Sequence, residues 1–215
     1  MTLFAGDALA CERGERLVFA GLSFALAAGD ALLVTGANGS GKSSLLRLAA
    51  GLLRPAAGAL RWHGAAIAAD PEAHRARICY VGHQDPVKPL LSLGENLCFW
   101  ARLRGAPESA ADAALERFGL APLAALPARL LSAGQKRRLN LARLLLGPAP
   151  LWLLDEPSLG LDRDAVAALE AALADQRAGG GIVLLATHLP LALPGAVGLD
   201  LAGFAAASES AQVPA

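Results

Sequence analysis

Three groups of residues have types and spacing that could do chemistry, and they occur in a fixed order along the chain. Gly36, Ala37, Asn38, Gly39, Ser40, Gly41, Lys42 and Ser43, followed by Ser44, fit the P-loop pattern G-x4-G-K-S. Glycines at those positions let the backbone curl so that successive N–H groups point inward at a phosphate, and the following helix adds its N-terminal partial charge. Lys42 is then placed to reach the β- and γ-phosphates of a nucleotide, and the Ser43 hydroxyl to ligate Mg²⁺. Further along, the apolar run Leu151–Leu154 ends in Asp155 and Glu156. A carboxylate at such a strand end lies beside the P-loop, so Asp155 is the candidate for Mg²⁺ coordination, through water. Glu156 is the candidate that orients and polarises an attacking water. Phosphoryl transfer needs mainly positioning and charge stabilisation, and these groups supply much of both. Two merely solvated acids would not require so tight an apolar run closed by Pro157.

Between these two groups lies Leu131-Ser132-Ala133-Gly134-Gln135, opening a helix that carries Lys136, Arg137, Arg138 and Arg143. A serine side chain, a glycine N–H and a helix dipole together form an anion site. The basic residues next door could instead suggest nucleic acid, but they share one helix and the chain is neutral, so no nucleic-acid partner is expected.

These residues must be positioned by alternating strands and helices. Leu17–Leu26 reads as strand, Ala31–Thr35 as a buried strand entering the P-loop, and Ser43–Leu53 as a helix stopped by Arg54-Pro55. Gly58–Ile67 reads as a hairpin, and Ile78–Val81 as a buried strand. From Asp85 to Leu146 the pattern is helical, with loops at Pro86, Pro89, Gly105–Pro107 and Pro122. The strand Leu151–Leu154, the helix Arg163–Gln176 and the strand Ile182–Ala186 follow, and the tail beyond Ala205 reads as frayed. The fold class expected is α/β: a single domain, 1–215, with a P-loop NTPase core and an N-terminal antiparallel β subdomain in 1–84 and 147–215. A helical subdomain, 85–146, is inserted into it.

The 215 residues hold 19 Lys and Arg against 19 Asp and Glu, a formal net charge of zero, which excludes wholesale polyanion binding. Lysine occurs only at Lys42, Lys88 and Lys136, which makes Lys42 conspicuous. No uninterrupted apolar run reaches the roughly 18–20 residues that span a bilayer, and the N-terminus lacks the layout of a secretory signal. The expectation is a cytoplasmic chain. Cys11, Cys79 and Cys98 are scattered without metal-ligand spacing and read as reduced, mostly buried small hydrophobes. His63, His74 and His83 suggest no role beyond surface or packing.

The ordered triple resembles the nucleotide-binding domains of ABC transporters, whose signature is the LSGGQ pentapeptide; here Ala133 takes the third position. The resemblance implies ATP and Mg²⁺ as ligands and a head-to-tail homodimer with two composite sites. Ser132, Ala133, Gly134 and Gln135 of one copy would then face the ATP of the other. It also implies that Gln84, at the Q-loop position, touches Mg²⁺ or water and senses the transmembrane partner. Asp162, in the D-loop, would cross the dimer interface, and His188, in the H-loop, would contact the γ-phosphate and support Glu156. The position that usually holds an adenine-stacking aromatic is occupied by Arg13, which either stacks on the base through its planar guanidinium or is a solvated loop residue.

More narrowly, Cys11-Glu-Arg-Gly-Glu-Arg16, Val81-Gly-His-Gln84 with Lys88, Ser92–Leu97, Leu131–Arg138, Leu151–Pro157 and Thr187–Leu191 together resemble the CcmA family. These are ATP-binding subunits of the bacterial haem exporter of cytochrome c maturation. The similarity runs to about Leu193. It implies a peripheral subunit on the cytoplasmic face of the inner membrane, docked on integral proteins of the CcmB, CcmC and CcmD types. ATP hydrolysis there is coupled to release of a haem-loaded periplasmic chaperone. Direct haem ligation is not expected, since there is no Cys-x-x-Cys-His. The segment Asp85–Asn96 is expected to grip the membrane partner, with a plain loop core as the alternative. Rival readings are an ATPase of another small-substrate ABC transporter, a DNA-associated ATPase of the same fold, and a nucleotide-gated scaffold that does not hydrolyse.

Overall fold

The computed structural model describes residues 2–205, so the expectation for the tail beyond Ala205 lies outside them. Among the described residues the strands are β1 (Phe4–Arg13), β2 (Arg16–Leu26), β3 (Ala31–Thr35), β4 (Ala57–Trp62), β5 (Ala65–Ala66), β6 (Ile78–Val81), β7 (Leu151–Asp155), β8 (Ile182–Ala186) and β9 (Val197–Asp200). The α-helices are α1 (Lys42–Ala49), α2 (Pro71–Arg77), α3 (Leu93–Leu103), α4 (Ser109–Arg117), α5 (Ala133–Ala142) and α6 (Arg163–Ala178). No helix among the described residues is long and apolar enough to cross a membrane.

Two sheets result. An antiparallel sheet has the order β2-β1-β4-β5, and a parallel one the order β6-β7-β8-β3-β9. β7 and β8 are buried at every residue, as parallel strands covered on both faces must be. Successive side chains point to opposite faces. Leu151, Leu153, Ile182, Leu184, Leu32 and Val34 join α1 and the antiparallel sheet in one core. Trp152, Leu154, Val183, Leu185 and Ala31 join α3, α4, α5 and α6 in the other. Each fully buried leucine in these layers stabilises by about 1.5–3 kcal/mol relative to exposure. The sheet is therefore the rigid wall between two cores, and its strand ends have little freedom.

The helical stretch after Asp85 supplies α3, α4 and α5. Ser92 caps α3 in a capping box with Glu95. Some elements differ from expectation. α1 stops at Ala49, not at Leu53, because Gly51 (φ 66°) closes it. The Gly51 and Leu52 amides bond back to the Leu48 and Arg47 carbonyls, both at 2.9 Å, which is a Schellman ending well before Pro55. α6 runs two residues past Gln176, to the Gly179-Gly180 turn. β1, α2 and β9 were not expected at all.

Candidate nucleotide site

The parallel register sets the site. Val34 of β3 and Asp155 of β7 both pair with Ala186 of the intervening β8. Three chain exits therefore lie side by side at the carboxyl edge of the sheet, where ligands of open α/β sheets bind. The P-loop leaves β3, the acid pair leaves β7, and Thr187-His188 leaves β8.

The P-loop curls through Gly36 (φ 139°), Gly39 (φ 81°) and Gly41 (φ 103°). At Gly41 the requirement is double. Besides the left-handed backbone, a Cβ there would sit 2.7 Å from Val18 Cγ1 and 3.0 Å from Phe19 Cδ1 on β2. Gly41 is also the N-cap of α1, with no side-chain cap and no acid in the first turn. The amides of Lys42, Ser43 and Ser44 lack intrahelical acceptors by helix geometry, and nothing on the helix competes with an anion for them. Lys42 is 8% exposed, and its ammonium donates to the Gly36 carbonyl at 2.8 Å and the Ala37 carbonyl at 3.2 Å. It is thus folded into its own loop, stretched across the cradle.

Glu156 adopts φ 48°, a left-handed conformation that costs a non-glycine residue about 1–3 kcal/mol. Its N–H donates to the Ala186 carbonyl at 2.8 Å. Its carboxylate takes His188 Nδ1 at 2.9 Å and the His188 N–H at 3.3 Å. The Nδ1 proton is directed at Glu156, so Nε2 carries a proton to donate only when the ring is doubly protonated. Thr187 fixes the turn behind the ring, its hydroxyl oxygen accepting the Leu189 N–H at 3.0 Å. Asp155 is 3% exposed and lines the same cavity as Ser43. A carboxylate so buried calls for a compensating cation, and hydroxyl plus carboxylate oxygens suit a hard divalent ion such as Mg²⁺. Asp155 also adds to burial in raising the Tyr80 phenol above its ordinary pKa.

The cavity, about 650 Å³, is lined by residues 38–44 together with Asp155 and Glu156. Arg13, Arg16 and Val18 line it as well. Arg13 and Arg16 are cross-strand partners at the tip of the β1–β2 hairpin. Arg13 thus lines the cavity in company with a second guanidinium that the sequence alone had not singled out. The CERGER spacing was the available signal. Arg47 and His83 also line the cavity, although His83 had suggested no role. Gln84, expected from the Q-loop resemblance to touch Mg²⁺ or water, is exposed and not among the lining residues.

Signature residues do not line this chain's own cavity. Ser132 caps α5. It accepts the Gln135 N–H at 3.2 Å, while Gln135 Oε1 accepts the Ser132 N–H at 2.9 Å. The amides of Ala133 and Gly134 still point out of the helix end, and the Ser132 hydroxyl still has a proton to donate. Gly134 packs against the 158–161 turn, where a Cβ would lie 3.0 Å from the Gly160 carbonyl oxygen. Asp162 caps α6 through the Ala165 N–H at 2.9 Å and lies 3.9 Å from Arg138. Arg137 and Arg143 are 6% and 8% exposed. The basic run of α5 is thus partly interior, not a continuous charged face.

Residues 19–159 match the family model described as ABC transporter. The cytochrome c biogenesis ATP-binding export protein CcmA of Rhodospirillum rubrum is 62% identical over 94% of this chain and 87% of its own. Its counterpart in Paramagnetospirillum magneticum is 59% identical over 96% and 97%. Among solved structures, an ATP-binding subunit of an ABC transporter superposes with a TM-score of 0.79 at 30% identity, covering 87% of this chain and 80% of that one. A Pyrococcus furiosus ATP-binding protein, at 22% identity and a TM-score of 0.83 over 94% and 99%, shares the fold. The chain belongs to the ATP-binding subunits of ABC transporters and, within them, to the CcmA family of cytochrome c biogenesis.

Proposed function

We propose that this chain is the ATP-hydrolysing motor of a haem-exporter complex in cytochrome c maturation, working as a head-to-tail homodimer with two composite sites. One observation carries the reading. The chain has an open phosphate cradle at the N-terminus of α1, and a second helix N-terminus, with a hydroxyl and two outward amides, at α5, outside that cradle. A second copy in antiparallel register would set α5 over the first copy's γ-phosphate.

In this reading residues 36–44 cradle the β- and γ-phosphates, and Lys42 exchanges its loop carbonyls for phosphate oxygens. Ser43 and Asp155, the latter through water, with Gln84 swung in, would hold Mg²⁺, which would supply neutralisation of phosphate charge. Glu156 orients a water in line with the bond between the γ-phosphorus and its bridging oxygen. The new oxygen–phosphorus bond forms as that bond breaks, the attacking water gives its proton to the Glu156 carboxylate, and ADP leaves with the electron pair. His188 holds the Glu156 carboxylate through its main-chain N–H and Nδ1–H and, doubly protonated, donates Nε2–H to the γ-phosphate. Arg13 and Arg16 meet the base, Ser132, Ala133, Gly134 and Gln135 reach the partner copy's phosphate, and Asp162 lies at the dimer seam.

Residues 1–84 and 147–215 act as the nucleotide-binding body and 85–146 as the arm that swings with nucleotide state. The arm's Asp85–Asn96 face docks integral membrane subunits of the CcmB, CcmC and CcmD types on the cytoplasmic side of the inner membrane. Leu90 there is 79% exposed, while buried Asn96 pins the loop through the Lys88, Leu91 and Ser92 carbonyls. ATP closes the dimer, and hydrolysis reopens it and drives release of the haem-loaded chaperone across the membrane. The test is ATPase activity of the co-expressed complex, wild type against Glu156→Gln. The expected result is partner-stimulated turnover abolished by the substitution, with ATP retained in a trapped dimer. Turnover unaffected by Glu156→Gln would overturn the assignment.

A further inference from the structure

Arg137 lies two residues after Gln135, the cap partner of the signature Ser132 on α5, and its side chain leaves the helix inward, 6% exposed, toward the carboxyl end of β7. A guanidinium has five N–H donors in a fixed planar fork, and here all five are matched. Nε donates to the Pro157 carbonyl at 3.2 Å. Nη1 donates to the Gly82 carbonyl at 2.9 Å and to Asp85 Oδ1 at 3.1 Å. Nη2 donates to the Asp155 carbonyl at 2.9 Å and the Glu156 carbonyl at 2.8 Å.

We propose that Arg137 is a positioning residue for hydrolysis, holding the Asp155-Glu156-Pro157 turn in the conformation that aims the Glu156 carboxylate and tying that turn to the 82–85 segment. Three consecutive carbonyls of one turn converge on the fork, and the middle one belongs to the residue at φ 48°. A backbone in that region persists only where its surroundings over-determine it. The Ala186 carbonyl holds the Glu156 N–H and Arg137 holds its carbonyl, so the strained residue is gripped on both sides.

Packing alone does not account for this side chain, because a buried cation facing a single carboxylate is a poor way to fill space. Asp85, the one carboxylate, is shared with Asn140 Nδ2 at 2.8 Å. A shift of the segment that carries Gln84 therefore pulls on the same fork that holds Glu156. Lysine cannot substitute, since three donors on a point-like ammonium do not reach five acceptors in a plane.

The proposal rests on Glu156 as the residue that orients the water. The experiment measures kcat and KM for ATP in the membrane-partner complex for wild type, Arg137→Lys, Asp85→Ala, Glu156→Gln and the double variant Arg137→Lys/Glu156→Gln. For Arg137→Lys the expected result is a kcat about 100-fold lower, the scale of a small misplacement of a reacting group, with KM for ATP unchanged because the P-loop is untouched. Asp85→Ala shows the same kind of loss, smaller, and decides the matter if Arg137→Lys does not fold. The double variant turns over no more slowly than Glu156→Gln alone, since Arg137 acts through Glu156. An unchanged kcat in the folded Arg137 variant, or in Asp85→Ala when that variant is the one that folds, overturns the proposal. So does a further loss in the double variant. If Glu156→Gln keeps wild-type turnover, the reading of Glu156 fails first and the proposal falls with it.

Discussion

Two helix N-termini in this chain look alike in sequence, a small-residue turn opening a helix that carries a lysine, yet they are finished differently. α1 begins at Gly41 with no side-chain cap, and its first amides are left to whatever anion enters the cavity. α5 begins at Ser132 inside a complete capping box, which satisfies the Gln135 and Ser132 amides within the chain itself. An uncapped helix start inside a protein is costly unless a ligand finishes it, so α1 is built around its ligand. α5 is stable alone and offers only two amides and a hydroxyl proton, which suits a surface that engages a phosphate intermittently. The primary cradle and the closing lid are thus distinguished by who caps the helix.

Substitutions separate the two ends. The largest effect belongs to Lys42→Ala. It removes the one lysine at the α1 cradle and is expected to lower kcat/KM by about 100- to 1,000-fold, the scale of losing a charged transition-state donor, as read by steady-state ATPase. A loss near twofold would mean that α1 is an ordinary helix start. Next comes Ser132→Ala, which strips the α5 cap. The expected cost is about 1 kcal/mol of stability by denaturant titration, together with slower turnover while one copy's ATP binding, read by equilibrium dialysis, is retained. Loss of ATP binding in the monomer would place α5 in its own chain's site and erase the distinction.

The smallest effect concerns the far end of α1, where His74 bonds the Ala49 carbonyl through Nε2 at 2.8 Å. Burial pushes the His74 pKa below its ordinary 6.5. The unfolded chain therefore binds the proton more readily than the folded one. The stability tied to neutral His74 is present above pH 6.5 and is lost as pH falls from there through the lower folded value. Thermal unfolding of wild type and His74→Gln across that window checks the sign: the wild type is expected to lose more on acidification than the variant.

What could be read in advance follows from how local each feature is. β3, β7 and β8 are short apolar runs ending in chemistry, and both run and ending are visible along the chain. β1 is not. Its sequence FAGDALACER breaks alternation, and its pairing with β2 shifts register between Gly6 and Leu9, around Ala8 at φ 45°. Part of its identity as a strand is fixed by β4, a partner that lies far along the chain. β9, VGLD, is a short edge strand mostly exposed, with too little apolar signal to stand out. In the site, the P-loop and acid pair were legible because glycine geometry and paired carboxylates sit within a few residues. The Arg137 fork was not, because four of its five acceptors are backbone carbonyls, which every residue has. A run of basic side chains on one helix says nothing about which of them turn inward.

The most direct test of the shared-site arrangement is ATP turnover by a one-to-one mixture of Lys42→Ala and Ser132→Ala chains, co-assembled with the membrane partners and compared with each variant alone. In a mixed dimer one composite site combines the intact Lys42 of one chain with the intact Ser132 of the other, while the second site has neither. The expected result is turnover clearly above the average of the two separate variants. A mixture that turns over at that average would contradict the arrangement, because it would mean that each chain completes its own site.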